Sequence, residues 1–381
     1  MSNSDPVNPP AARSESGRKV MQRDHTPHIF RPITWRSVTA KNRIVVSPMC
    51  QYSAAEGVAN DWHLQHLASR AVGGAGIVFT EVVHTEPRGR ITEYCLGLWN
   101  DEQRDALARI VRCVKSQGAV AGMQLGHAGR KGSTARPWDG GKPVASADGG
   151  WEIIGPSAIA FADGYTVPVE MDKAMIAESI AQFVASTQRA REAGFDLLEI
   201  HAAHGYLIHE FLSPVANRRT DEYGGSFANR IRYLLEVIDG VRAEWPADKP
   251  LFVRVSASDW IEGGWDLDSS VKLARLLKAA GKVDLVDCSS GGISPQQKIT
   301  LHPGDQVPFA AAIRAQANIA TGAVGLINAP EQAEQIVASG QADVVIMARA
   351  MLNDPYWPLH AAKVLKMTLA WPPQYERGDI F

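Results

Sequence analysis

Residues 175–201 read MIAESIAQFVASTQRAREAGFDLLEIH and contain one complete unit of the fold. Met175–Ala193 is long and amphipathic, which predicts a helix. Gly194 follows it, and glycine is typical of the position just after a helix. The short apolar run Leu197–His201 then predicts a buried strand. This combination of helix, glycine and strand decides the fold because it recurs along the chain.

Eight short apolar runs predict buried parallel strands: Arg43–Ser47, Ile77–Val82, Val120–Leu125, Leu197–His201, Leu251–Val255, Asp284–Cys288, Asn318–Thr321 and Asp343–Met347. Amphipathic stretches between most of them predict helices, among them Asp101–Gln117, Met175–Ala193, Arg230–Trp245, Asp268–Ala280, Pro308–Ala315 and Pro330–Ser339. Eight such units of roughly 40 residues predict an α/β protein with a single (β/α)8 TIM barrel. The alternative is a doubly wound open sheet, which usually has fewer strands at this size.

The predicted barrel occupies residues 29–365 and leaves a segment at each end. A length of 381 residues suggests two to three domains, but α/β barrels run long as single domains. Residues 1–28, rich in Ser, Pro, Asn and Arg, predict a disordered leader. Residues 366–381 form a C-terminal tail. The Gly- and Pro-rich stretch Gly126–Asp172 predicts an extended loop after the third strand, over the barrel mouth, with room for a hairpin.

Charge and cysteine content exclude several classes of protein. The chain has 39 Lys and Arg against 41 Asp and Glu, so a net charge of −2 indicates no nucleic-acid or membrane-surface partner. The apolar runs are shorter than the about 20 residues that cross a bilayer. Cys50, Cys95, Cys113 and Cys288 are scattered, which argues against a zinc site, an iron–sulfur cluster or a disulfide framework. We therefore expect a cytoplasmic protein.

Polar or glycine-rich groups follow each predicted strand, at the end where barrels carry their chemistry. The first strand leads into Ser47, Pro48, Met49, Cys50 and Tyr52. At or just beyond the ends of the following strands lie, in order, Glu81 and Val82; Gln124; His201, His204 and Tyr206; Arg254, which is within the fifth strand; Ser289; Gly325; and Ala348 with Arg349. This clustering indicates an active site.

Two of these ends predict a phosphate site. TGAVG at residues 321–325 and Arg349 follow the seventh and eighth strands, where barrels commonly bind phosphate. The planar guanidinium of arginine binds phosphate oxygens with two parallel hydrogen bonds. The ligand is therefore expected to be a phosphorylated cofactor or substrate. Arg254, among apolar neighbours, predicts either an internal ion pair or a cation beneath a bound anion or ring.

The segment His201–Tyr206 reads HAAHGY and carries the most specific chemistry. His201 and His204 are three residues apart and share a face if the segment turns helically. Two neutral imidazoles can donate two hydrogen bonds to one oxygen, or they can ligate a metal. A metal-dependent barrel hydrolase is therefore one alternative, although the other strand ends supply few further ligands and we assign no metal.

Longer motifs resemble the old yellow enzyme family of FMN-dependent ene-reductases, over about residues 30–365. These motifs are NRIVVSPMCQYSA, GRITEYCLGLWND, MQLGHAGRKG, HAAHGYLIHEFLSPVANRRTDEYGGSFANRIRYLLEV, VRVSASDW and DVVIMARAMLNDPYWP. Cys50, where many members have threonine, and the C-terminal PPQYERG resemble the thermophilic-like branch of xenobiotic reductases. A flavin-binding scaffold without catalysis is the remaining alternative.

The resemblance implies non-covalently bound FMN, with NADPH or NADH as electron donor. The residues it places around the cofactor are Ser47, Pro48, Met49, Cys50, Val82, Gln124, Arg254, Gly325, Ala348 and Arg349. Gly325 and Arg349 would hold the phosphate. Gln124 and Arg254 would contact the ring, and Cys50 would tune it as a thiol rather than act as a nucleophile.

The resemblance also implies ping-pong reduction of activated C=C bonds in enones, maleimides, nitro compounds and quinones. His201 and His204 would bind the substrate oxygen, and Tyr206 would donate the proton. Tyr52 would face the substrate. Trp357 would either line the pocket or pack against the barrel. Arg377 would reach the active site of a neighbouring subunit in a homodimer or homotetramer.

Overall fold

A computed structural model describes residues 26–379, and it confirms the predicted barrel. Eight parallel strands close on themselves in chain order, with the eighth paired to the first through Val345 and Ile44. The barrel strands are Ile44–Val46, Ile77–His84, Val120–Gly126, Leu197–Ala202, Leu251–Ser256, Leu285–Ser289, Ala320–Ala323 and Val344–Met347. Residues 1–25 of the expected leader lie outside the described residues.

Helices on the outside of the barrel connect these strands. The longer ones are Asp61–Val72, Asp101–Ser116, Lys173–Ala193, Arg232–Glu244, Leu267–Ala280, Val307–Ala317, Pro330–Ala338 and Trp357–Val364. Leu207–Leu212, Phe227–Arg230 and Arg349–Asn353 are short helices. Gly194 and Gly281 adopt the left-handed conformation just after their helices, as the sequence predicted. Asp61–Val72 was not among the predicted helices.

Inward-pointing side chains form an apolar layer near the strand beginnings. We define this layer by Val45, Ile77, Phe79, Val120, Leu197, Phe252, Leu285 and Val344, together with Trp35. Trp35 comes from a hairpin, Ile33–Trp35 paired with Val38–Ala40, that closes this end of the barrel. The Trp35 and Phe252 rings pack edge to face with centroids 5.1 Å apart. The barrel floor is therefore a dry plug of large side chains.

Two residues further along the strands, the barrel interior becomes polar. We define this charged layer by Ser47, Gln124, Glu199, Arg254 and Asp287, all buried. Side chains two positions apart point to the same face of a strand, so Glu199, Arg254 and Asp287 stand directly above Leu197, Phe252 and Leu285. The charged layer lies between the apolar plug and the barrel mouth.

The long segment after the third strand covers the mouth, as predicted, but its paired strands do not form a hairpin. Ile154–Gly155 and Val169–Glu170 are parallel. Parallel pairing needs a crossover of about a dozen residues, and residues 156–168 supply it. The segment is anchored where the Arg130 guanidinium donates to the carbonyl of Ile293 at 2.6 Å.

The two ends of the described chain contact the barrel exterior. His28 begins a short 3-10 helix, and its backbone N–H donates to Glu334 at 2.9 Å. The C-terminal 3-10 helix Pro373–Gly378 lies beside Lys41 and Gln117, at the beginnings of the strands and opposite the mouth. Among residues 26–379, no helix is both long and apolar enough to cross a membrane.

Candidate active site

A cavity of about 130 Å³ opens at the mouth, between the ends of the first, fifth, sixth, seventh and eighth strands. It contains five of the residues assigned from sequence to the cofactor: Ser47, Arg254, Gly325, Ala348 and Arg349. Ser289, Gln306 and Asn328 complete its polar lining. Closure of the barrel thus brings together residues that lie up to three hundred positions apart.

The seventh-strand side of the cavity is built for close approach to backbone. Gly325 has φ +110°, a conformation that favours glycine. A Cβ there would lie 2.4 Å from Asp305 Oδ1 and 2.8 Å from the Gln306 nitrogen, so a larger residue would clash. Arg349 is exposed beside it. The backbone turn at Gly325 has no side chain, and it lies next to the exposed guanidinium of Arg349. This arrangement is suited to a phosphate group.

Arg254 connects this cavity to the charged layer. Its guanidinium donates to Ser47 Oγ at 3.0 Å, and its Nε lies 3.1 Å from Asp287 Oδ2. The Gln124 amide donates to Glu199 Oε1 at 2.8 Å. The sequence left an ion pair and a cation beneath a ligand as alternatives for Arg254, and the structure shows the ion pair in a residue that also lines the cavity.

His201 and His204 lie side by side, with ring centroids 5.1 Å apart. The pKa of each lies well below its usual range, because burial and the nearby Arg254 charge disfavour the protonated form. The Ala203 N–H donates to His201 Nδ1, so the proton of that ring is on Nε2. Both imidazoles are therefore neutral, and each can donate one hydrogen bond.

The backbone of His204 is fixed from both sides in an uncommon conformation. Its φ is +60°, a strained value for a residue with a side chain. Its N–H donates to Ser256 Oγ at 2.9 Å, and its carbonyl accepts from Lys131 Nζ at 2.8 Å. Its ring Nε2 lies 2.7 Å from Ser289 Oγ. These contacts over-determine the ring position, which is typical of functional sites.

Cys50, Tyr52 and Tyr206 pack against an apolar cluster that includes Val82, Ile91 and Cys95, which we call the apolar wall. The Tyr206 ring lies edge to face with His201, at a centroid separation of 5.1 Å. Burial raises the pKa of the Tyr206 phenol and of the Cys50 thiol well above their usual values. Both groups are therefore protonated at neutral pH.

Of the remaining assigned residues, some lie near the barrel mouth and others lie far from it. Pro48 and Met49 continue the first strand beside Ser47, and Met49 packs against the core. Trp357 is buried, and its indole N–H donates to the carbonyl of Asn328 at 2.9 Å. Arg377 is exposed in the C-terminal helix opposite the mouth.

Several residues of the site were not singled out from the sequence. The Ser290 hydroxyl donates to Gln306 Oε1 at 3.0 Å, and Ser289 Oγ lies 3.2 Å from the same oxygen, so Gln306 supports the residue beside His204. Glu199 and Asp287 were included in predicted strands without a role. A carboxylate inside a short apolar run was the available signal, because buried acids require a partner.

Comparison with known proteins agrees with this geometry. The family model described as NADH:flavin oxidoreductase / NADH oxidase matches residues 28–367. The chain belongs to this family. The NADPH dehydrogenase of Geobacillus sp. (strain WCH70) is 51% identical over 352 residues, which cover 92% of this chain and 98% of that protein. The NADPH dehydrogenase of Bacillus subtilis (strain 168) is 47% identical over the same shares.

A solved structure also resembles this oxidoreductase. The old yellow enzyme homologue from Zymomonas mobilis has a TM-score of 0.74 at 26% identity and covers 91% of this chain and 94% of its own. The resemblance to old yellow enzymes inferred from the motifs is thus confirmed. The chain is an FMN-dependent oxidoreductase of the NADPH dehydrogenase type.

The residues present fit FMN. The glycine turn at Gly325 and the guanidinium of Arg349 suit the phosphate. The Arg254 guanidinium lines the cavity, and Gln124 carries an amide in the charged layer, and both suit the polar edge of a flavin ring. The apolar wall around Cys50 and Val82 suits the apolar part of that ring.

Proposed function

We propose that this oxidoreductase reduces activated C=C bonds of small unsaturated carbonyl or nitro compounds, including enones, maleimides and quinones. The observation that carries the proposal is the convergence of His201, His204 and Tyr206 at the mouth, all three uncharged. Bound FMN supplies the hydride, which is first obtained from NADPH or NADH in a separate half-reaction.

The two histidines are proposed to bind the substrate oxygen. His201 donates from Nε2, and His204 donates from Nδ1 in the tautomer in which Ser289 Oγ donates to its Nε2. Negative charge develops on the substrate oxygen as the double bond is reduced. Their neutrality matters because a neutral donor pair places no net positive charge beside Arg254. Tyr52, which packs in the same apolar cluster as Tyr206, is proposed to contact the same substrate, with Cys50 beside the flavin.

Tyr206 is proposed to donate the proton to the α-carbon as a general acid. Its phenol is buried next to His201, and Lys131 Nζ lies 4.9 Å from the centre of its ring. The nearby ammonium stabilises the phenolate left after proton transfer by Coulomb attraction. The protein thus supplies orientation, polarisation and one proton.

Tyr206→Phe tests this proposal. We expect stopped-flow traces to show a loss of about 100-fold or more in reoxidation of the reduced enzyme by an enone, because general-acid catalysis contributes factors of this size. Reduction by NADPH should keep its wild-type rate. Tyr233→Phe is the matched control: this buried phenol bonds Ser179 outside the mouth, and both half-reactions should be unchanged.

Equal slowing of both half-reactions in Tyr206→Phe would contradict the proton-donor role, since it would indicate general damage to the site. A wild-type enzyme that NADPH reduces but that no enone, maleimide, nitro compound or quinone reoxidises would contradict the substrate class. Such an enzyme would correspond to the flavin-binding scaffold.

We further propose that the enzyme works in the cytoplasm as a homodimer or homotetramer, with Arg377 entering a neighbouring subunit's active site. Two facts support this: Arg377 lies at the end of its own barrel opposite the mouth, and all four cysteines are free thiols. Arg377→Ala should weaken substrate binding while the oligomer persists. A stably monomeric Arg377→Ala variant with normal kinetics would overturn this part.

A further inference from the structure

Two carboxyl groups and one guanidinium share the charged layer beneath the mouth. Glu199 and Asp287 are fully buried, and Arg254 lies between them on the intervening strand. Asp287 Oδ2 is 3.1 Å from Arg254 Nε, and Glu199 Oε1 accepts from Gln124 at 2.8 Å. Glu199 Oε2 and both oxygens of Asp287 make no hydrogen bond in the described residues.

The charges of this layer do not balance if both carboxyls are ionised. One carboxylate is neutralised by Arg254, and the second would be a buried charge without a counter-ion. Such a charge is costly, and a buried carboxyl pair avoids the cost by retaining a proton. Burial and mutual repulsion raise the pKa of Glu199, and burial raises that of Asp287, which agrees with this balance.

The other groups that face the charged layer do not change its charge balance. Ser47 and Gln124, on the first and third strands, are neutral. Above the layer, His201 and His204 remain uncharged because burial and Arg254 lower their pKa. The Cys288 thiol follows Asp287, and burial raises its pKa, so it is protonated. Arg254 is therefore the cation that acts directly on both carboxyls.

We propose that Glu199 and Asp287 share one proton beside Arg254 and take up a second one when the flavin is reduced. Hydride transfer from NADPH carries two electrons and one proton to the flavin and leaves NADP⁺. It also brings one negative charge to the mouth, where Arg254 lines the cavity. As Arg254 balances that charge, the remaining carboxylate loses its counter-ion and binds one proton from solvent. Glu199 and Asp287 are positioning residues, because they act through Arg254 and Gln124.

The amide of Gln124 would transmit the same change to the flavin ring. An ionised Glu199 accepts from the Gln124 NH2 group and leaves the amide oxygen available as an acceptor. A protonated Glu199 can donate to that oxygen instead, which would turn the NH2 group towards the mouth. The protonation state of a residue beneath the site thus sets which hydrogen bond the protein offers above it.

The test is the pH dependence of the midpoint potential of the FMN holoenzyme between pH 6 and 9. For a two-electron couple, each proton taken up per pair of electrons contributes about 30 mV per pH unit. The wild type should approach about 60 mV per pH unit where the pair titrates. The double variant Glu199→Gln/Asp287→Asn should follow about 30 mV per pH unit throughout.

Glu210→Gln is the matched control. Glu210 is equally buried, burial raises its pKa to about 8, and it accepts from the backbone N–H of Arg130, outside the charged layer. This variant should retain the wild-type slope. A double variant with the wild-type slope, or a wild type at about 30 mV per pH unit throughout, would overturn the proposal.

Infrared difference spectroscopy of the wild-type holoenzyme gives a second readout that needs no stable variant. Reduction in this pH range should produce a new carbonyl band of a protonated carboxylic acid. Absence of that band from pH 6 to 9 would equally overturn the proposal. Neither readout depends on an enone or on Tyr206, so failure here is distinguishable from failure of the proposed substrate chemistry.

Discussion

The apolar layer and the charged layer occupy the same strands, two residues apart, and have opposite tasks. Leu197, Phe252 and Leu285 form the floor of the barrel, and Glu199, Arg254 and Asp287 stand directly above them. The floor excludes water and contributes burial energy. The layer above holds buried charges that contribute little to stability and are positioned towards the cofactor cavity.

The difference teaches how one barrel separates stability from chemistry. Hydrophobic burial needs no precise partner, so the floor can be filled by any set of large side chains that pack. Buried charges need partners at short distance, so the upper layer is fixed by specific pairs. Changes in the floor should therefore alter unfolding, and changes in the upper layer should alter potential, pH response and ligand binding.

The largest expected effect is on the floor. Phe252→Ala removes a ring packed against Trp35 and Phe79, and we expect the free energy of unfolding to fall by about 3–5 kcal/mol. Denaturant titration measures this loss. Leu276→Ala, on an outer helix and 45% exposed, should change it by less than about 0.5 kcal/mol. If the folded Phe252→Ala protein had altered half-reaction rates, the claim that the floor affects stability but not chemistry would be contradicted.

A smaller effect is expected from the pH dependence of stability in Glu199→Gln. Burial raises the folded-state pKa of Glu199 above its ordinary value of 4.5, so the folded protein retains a proton that the unfolded chain has released. Unfolding then releases this proton, and the stability of the wild type falls as pH rises above about 4.5, by up to about 1.4 kcal/mol per pH unit.

The glutamine variant does not pay this cost. Its free energy of unfolding relative to wild type should therefore increase between pH 5 and pH 8. Denaturant titrations at these two pH values, on the FMN-free protein, measure the difference. A constant difference would show that Glu199 ionises normally in the fold.

The smallest effect concerns one donor at the mouth. His201→Ala should weaken binding of a phenol or an enone to the oxidised enzyme by about fivefold, because it removes one hydrogen bond worth about 1 kcal/mol. Spectral titration of the flavin measures this change. His302→Ala, in an exposed loop, should leave affinity unchanged. Equal affinity in wild type and His201→Ala would remove His201 from the substrate site.

The sequence predicted the strands well because a buried parallel strand is a short apolar run with few alternatives. All eight runs are strands, with ends that differ by at most a few residues. The pair Ile154–Gly155 and Val169–Glu170 was not predictable, since two-residue strands leave almost no periodic signal and their direction depends on the path of residues 156–168.

The site residues were predictable where a motif carried them and not where only tertiary structure joined them. His201, His204 and Tyr206 are close in sequence and lie together. The relation of Asp287 to Arg254, or of Gln306 to Ser289, depends on barrel closure and strand register. Trp357 was ambiguous because an indole serves equally well in a pocket wall and in a core.

The most direct test of the account is an anaerobic sequence on the wild-type holoenzyme. NADPH should bleach the flavin absorbance, and addition of an enone should restore it at once, with the saturated ketone as product. We predict that the flavin absorbance is restored and that one saturated ketone forms for each NADPH consumed. A bleached enzyme that stays bleached with every enone, maleimide, nitro compound and quinone tried would contradict it.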